Sequence, residues 1–166
     1  MLRVLDKRSR SIMVGTDVQK KVKITTTRFG IIEVDEDTVI QFIDPVPGFP
    51  GAEKFVLILH KEDSPFYWLQ SVELPEVAFV VTDPGLFFAD YQVTISDEDL
   101  VRLMVAESAS DSVIVVSIIT IPPGDPRQMT ANLMAPIVIN TENKTAKQIV
   151  MLDSDYTTKH LLLPDS

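Results

Sequence analysis

The stretch "TANLMAPIVIN", Thr130–Asn140, decides how the chain is read. Successive side chains of a strand point to opposite faces. At that period Ala131, Leu133, Ala135, Ile137 and Ile139 share one face, and all are apolar. Thr130, Asn132, Met134, Pro136, Val138 and Asn140 share the other. The first set belongs in a core. The second is a mixed face that lies at or near solvent. Pro136 has no N–H to give a ladder, so it marks an edge or a bulge. Asn132 and Asn140 have two readings. Their amides either tie down loop backbone where the strand begins and ends, or offer donors and acceptors to a partner. Nothing in the stretch does chemistry, so the chain reads as a small β-rich body whose surfaces carry the function.

The neighbouring sequence has the same character. "KVKITTT" (21–27) alternates, with Val22 and Ile24 on the inner face. Gly30 separates it from the β-rich "IIEVDEDTVIQF" and predicts a tight turn or bulge. "DPVPGFPG" (44–51) is a loop. "KFVLILH" and "FYWLQSV" are strands joined by the turn-rich "KEDSP", and "EVAFVVT" (76–82) is another, closed by Asp83-Pro84-Gly85. "SVIVVSIITI" (112–121) is almost wholly β-branched, as in a strand buried on both faces or in a barrel wall. "TENKT" turns the chain into the returning strand "AKQIVMLD". One helix is predicted near residues 96–106, because Ser96 and Asp99 form a capping box before Leu100, Leu103 and Met104. Many short strands and a single helix of two or three turns predict a mainly all-β fold, a small antiparallel β-barrel.

Composition narrows the function. The chain has 166 residues and no cysteine. Disulfides, thiolate metal sites and cysteine nucleophiles are therefore excluded. No run approaches the ~20 apolar residues of a membrane span, and the N-terminus lacks the apolar core of a signal peptide, so a cytoplasmic location away from membranes is expected. Residues 1–28 hold eight basic residues and two acids, whereas the remainder carries a net charge of −15. A body that acidic repels phosphate backbones and attracts basic proteins, so no direct nucleic-acid binding is expected. The pattern predicts a basic N-terminal extension over residues 1–19 and a single barrel domain over residues 20–166, with a monomer as the expected state.

Catalytic constellations are missing from the sequence. His60 and His160 stand apart and form no metal-ligand spacing. The acidic runs 35–37 and 97–99 lack the EF-hand pattern and sit where turns and helix starts favour acids. There is no nucleophile elbow and no phosphate-binding loop. The expectation is no enzyme, no metal and no cofactor. Phe87 and Phe88, if extended, cannot both enter one core, so one of them is a candidate surface anchor. A small-ligand-binding barrel or a hydrolase remains the alternative.

"TTRFGIIEVDEDTVIQF", "PGFPGAEKFVLI", "DPGLFFADYQVTISDEDL" and the segment from "TIPPGDPRQM" through "TANLMAPIVIN" to "KHLL" occur in one order. In that order the chain resembles the FliW family of flagellar assembly factors over roughly residues 23–163. The resemblance implies a β-barrel-like, non-enzymatic protein of the cytoplasm. It implies binding to the C-terminal helical region of flagellin. It also implies binding to the carbon storage regulator CsrA, an RNA-binding repressor of flagellin translation, when flagellin is absent. Phe49, Phe87, Phe88, Tyr91, Asp97, Glu98, Asp99, Asn132, Pro136 and Asn140 are the candidate partner-binding residues. The chain departs from the family in its N-terminal extension and at Pro50, where the family commonly carries an acid.

Overall fold

A computed structural model describes residues 20–107 and 110–163. The predicted extension, residues 1–19, lies outside the described residues. The strands are β1 (Lys21–Thr26), β2 (Gly30–Asp35), β3 (Ile40–Phe42), β4 (Lys54–Leu59), β5 (Phe66–Ser71) and β6 (Ala78–Thr82), followed by helix α1 (Asp97–Arg102). Then come β7 (Val113–Thr120), β8 (Thr130–Ala131), β9 (Ile137–Asn140), β10 (Thr145–Gln148) and β11 (His160–Leu161). Seven strands close a barrel in the order β7-β6-β5-β4-β3-β10-β9, with β9 pairing back onto β7. All neighbours are antiparallel except β3 and β10, which run parallel where Thr145 faces Gln41 and Ala146 faces Phe42. That pairing joins segments about a hundred residues apart, and local alternation cannot reveal it.

The interior is filled by inward residues of the wall, among them Phe42, Phe55, Leu57, Leu69, Val81, Val116, Ile137 and Ile139. Three smaller clusters cover the outside of the same wall. The β1–β2 hairpin lays Ile24, Ile32 and Val34 on Val56 and Ile58. Its outer face pairs Lys21 with Asp35 and Lys23 with Glu33, as the alternation predicts. Gly30 turns the hairpin at φ +69°, a left-handed value that glycine adopts readily. Arg28 stacks over the Trp68 ring, 4.0 Å from its centroid, at the edge of this layer. A second outer cluster sets Leu103 against Val138, Ile149 and Met151. A third gathers Ile119, Ala131, Leu133 and Leu162 with Phe66, Phe87 and Phe88.

The stretch 130–140 differs from its reading as one continuous strand. Ala131 pairs with Ile119, but Ile137 pairs with Val116. Three extra residues are therefore looped out between β8 and β9, and Pro136, which cannot donate to a ladder, sits at the end of this bulge. An odd slip turns every following side chain to the other face. Ala131 and Leu133 consequently pack outside the barrel, and Ile137 and Ile139 inside it. All four are buried as expected, but in two different cores.

Two further expectations are corrected. α1 has six residues, shorter than two or three turns, and ends at Leu103. Phe87 and Phe88 are not extended. They follow the 3-10 turn Pro84–Leu86, so strand alternation does not govern them, and both pack half-buried into the same cluster.

Candidate partner-binding surface

The sequence "SDEDLVRLM" builds this surface. Ser96 Oγ accepts from the Asp99 amide at 3.1 Å, the predicted cap. Residues three and four apart share a helix face, so Asp97, Glu98 and Val101 lie together while Asp99 and Leu103 lie opposite. Leu103 is buried against Val138, which anchors the helix to the outside of the barrel.

An ion network holds the same side. Arg102 forks onto Asp44, with Nη1 donating to Oδ2 at 2.9 Å and Nη2 to Oδ1 at 2.8 Å. Lys147 of β10 donates to Asp99 and stands 3.8 Å from Asp44. The Arg102 hydrogen bond holds the Asp44 carboxyl below its usual range, and the Lys147 hydrogen bond does the same for Asp99. Arg102 is raised in turn, chiefly by its hydrogen bond to Asp44.

The helix end is held by side chains from the β9–β10 turn. The last carbonyls of a helix lack partners within it. Here the Leu103 carbonyl accepts from Asn140 Nδ2 at 2.9 Å and from Asn143 Nδ2 at 3.0 Å. The Met104 carbonyl accepts from Asn140 Nδ2 at 3.3 Å. Met104 adopts φ +54°, a left-handed conformation usually left to glycine at a helix end. Its side chain is 64% exposed, and Val101 is 75% exposed. The result is an apolar surface flanked by the exposed carboxylates of Asp97 and Glu98.

The candidate residues fall into different places. Asp97 and Glu98 border this surface, and Asp99 anchors it from behind. Asn140 was expected near solvent but is 1% exposed, because α1 covers the outer face of β9. Pro136 is buried too, its carbonyl accepting from the Ile149 amide at 2.8 Å. Asn132 is half-buried and its Oδ1 accepts from the Ala135 amide at 3.0 Å inside the bulge. The loop-binding reading of both asparagines is the one the geometry bears out. Phe49 is 36% exposed, with its ring 5.0 Å from that of Phe79. Phe87 stacks on Phe66 at 6.1 Å, and Phe88 meets His160 edge-on at 5.6 Å. The Tyr91 hydroxyl donates to the Leu133 carbonyl at 2.8 Å, and burial pushes its pKa up to about 12.

Val101, Met104, Asn143 and Thr145 were not among the candidate partner-binding residues of the sequence reading. The sequence grouped Met104 with Leu100 and Leu103 as apolar helix residues, yet the helix stops before Met104 and turns it outward. Val101 lies four residues after Asp97, which was the one available signal. Both histidines serve local contacts: Trp68 Nε1 donates to His60 Nδ1 at 3.1 Å, and His160 Nδ1 lies 3.2 Å from the Thr157 hydroxyl. No cluster of three metal-ligating side chains occurs among the described residues, and none of their helices is long and apolar enough to cross a membrane.

Comparison with known proteins agrees with this architecture. The sequence model of the family described as FliW protein matches residues 23–162. A flagellar assembly factor FliW of Magnetococcus marinus is 41% identical over 145 residues, 87% of this chain and 87% of the relative. One of Bacillus licheniformis is 47% identical over 137 residues, 82% of this chain and 93% of the relative. A crystal structure of the flagellar assembly factor FliW superposes with a TM-score of 0.79 at 34% identity, covering 87% of this chain and 99% of that one. With the barrel, the sequence match and the structural match in agreement, the chain belongs to the FliW family of flagellar assembly factors.

Proposed function

We propose that the protein is a non-enzymatic binding factor of the cytoplasm that holds flagellin by its C-terminal helical region. When flagellin is exported, the vacated protein binds CsrA and relieves its repression of flagellin translation. The observation that carries this reading is the α1 surface, where Val101 and Met104 stand exposed beside Asp97 and Glu98 on an anchored helix. An anchored apolar patch with a charged rim is the anatomy of a docking surface for an amphipathic helix. The charge supports a basic second partner, since the described residues hold 21 acids against 11 Lys and Arg. The alternative of a ligand-binding barrel or hydrolase is less favoured, because aromatic and aliphatic side chains occupy the interior.

Titration calorimetry with purified flagellin and purified CsrA tests the reading. Each is expected to bind, and saturation with flagellin is expected to abolish CsrA binding. The double variant Val101→Asp, Met104→Asp should weaken at least one complex tenfold or more while the melting temperature holds. The reading is overturned if the wild-type protein binds neither partner.

A further inference from the structure

Met104 is a non-glycine residue in the left-handed region, and it is also one of the two most exposed apolar side chains of the helix end. Such strain persists only where surrounding structure imposes it. The left-handed turn itself closes locally, with Met104 N donating to the Val101 carbonyl at 3.0 Å and Val105 N to the Leu100 carbonyl at 2.9 Å, while the groups that fix this helix end against the barrel come from far along the chain. Glu142 N donates to Asn140 Oδ1 at 3.0 Å, and Thr145 N donates to Asn143 Oδ1 at 3.0 Å. Backbone N–H groups can only donate, so both oxygens are identified, and both Nδ2 groups must face the helix end. The Thr145 hydroxyl has one hydrogen. It lies 2.6 Å from Asn143 Oδ1 and 3.2 Å from the Leu103 carbonyl, so the shorter contact takes it and locks the Asn143 amide. The chain of donation runs from Thr145 to Asn143 to Leu103.

We propose that the turn Asn140–Thr145 is a positioning device for partner docking: it fixes the left-handed end of α1 on the barrel so that Met104 and Val101 present one apolar surface to a basic amphipathic helix. The occupant is argued from charge. Asp97 and Glu98 flank the apolar pair, while the nearby cations Arg102 and Lys147 are engaged by Asp44 and Asp99 on the opposite side. A helix with lysine or arginine beside an apolar stripe is complementary to that arrangement. Asn140, Asn143 and Thr145 act through Met104 and need not touch the partner. The inference rests on the reading of the α1 surface as the docking site.

The test compares the wild-type protein with Thr145→Val, Thr145→Ser and Met104→Ala. Three quantities are read: the melting temperature, the carbon-13 methyl resonance of Met104, and affinity for purified CsrA and purified flagellin. Thr145→Val is expected to shift the Met104 resonance and weaken at least one complex roughly fivefold or more, with melting altered by only a few degrees. Thr145→Ser keeps the hydroxyl and is expected to restore both signals. If Thr145→Val does not fold, Asn143→Ala at an exposed position carries the same comparison. An unmoved Met104 resonance overturns the positioning role, as does a moved resonance with unchanged affinity. Weakened binding that serine does not rescue reduces the turn to scaffold. Full affinity of Met104→Ala for both partners instead removes α1 as the docking surface, and so sinks the earlier reading and this one together.

Discussion

Asn140 joins two segments that are remote in sequence, the end of α1 and the β9–β10 turn. Its Nδ2 donates to the carbonyls of Leu103 and Met104, and its Oδ1 accepts from Glu142 N. Asn140→Ala removes the side-chain partner of the Met104 carbonyl and the Glu142 amide, while the Leu103 carbonyl keeps Asn143, at a cost of about 1–3 kcal/mol for an orphaned polar group. Asn132→Ala removes one contact at a half-buried site and should cost less. Ile137→Ala empties part of the barrel interior and should cost about 2–5 kcal/mol. Urea denaturation of the three variants checks the order, and an Asn132→Ala cost above that of Asn140→Ala would contradict it. Met104→Gly removes left-handed strain of roughly 1 kcal/mol. It should leave stability equal or higher while weakening partner binding, a split that thermal melts and calorimetry on one sample detect.

At the scale of the element, α1 is too short to be stable alone, since isolated helices below about 12 residues are marginal in water. Its attachments are Leu103, the turn Asn140–Thr145 and the ion network. The network makes attachment depend on pH. Both Asp44 and Asp99 have folded pKa values below their ordinary range, through Arg102 and Lys147 respectively. Their contribution is therefore present above the unfolded carboxylate value of about 4 and is lost as pH falls through the lower folded values. The variant Asp44→Asn, Asp99→Asn should be less stable than the wild-type protein at pH 6, with the difference shrinking progressively as pH falls below about 4. A difference unchanged across that range in urea midpoints would rule the network out as an acid-sensitive tether.

At the scale of the whole molecule, the described residues carry ten more acids than Lys and Arg, and Tyr91 is half-buried. If the acidic surface steers CsrA, stopped-flow association should slow as salt rises, because the Debye length shortens from about 10 Å at 0.1 M to about 3 Å at 1 M. A salt-independent rate would leave the acids with no part in steering. Tyr91 bridges the aromatic segment after β6 to the bulge at Leu133. Its folded pKa of about 12 lies above the ordinary phenol value of about 10. Its contribution is thus present below pH 10 and lost as pH rises from 10 through 12. Tyr91→Phe should flatten that alkaline loss in melting curves taken across this range.

Local rules determined much of this protein from the sequence alone. Alternation located β1, β-rich runs bounded by turn residues located most barrel strands, glycine at residue 30 located the turn, and the Ser96–Asp99 cap located the start of α1. These features depend on residues a few positions apart, and their order along the chain pointed to the family. Only the tertiary structure decided that Ala131 and Leu133 pack outside the barrel while Ile137 and Ile139 pack inside, and that α1 covers Asn140. A three-residue slip between β8 and β9 exchanges the inside and outside of the strand, and periodicity carries no information about register across a bulge. The end of α1 was equally hidden. Its turn closes locally through Met104 N and Val105 N, but the side chains that satisfy the Leu103 and Met104 carbonyls lie 36 to 40 residues away, so only the closed barrel brings them to the helix end.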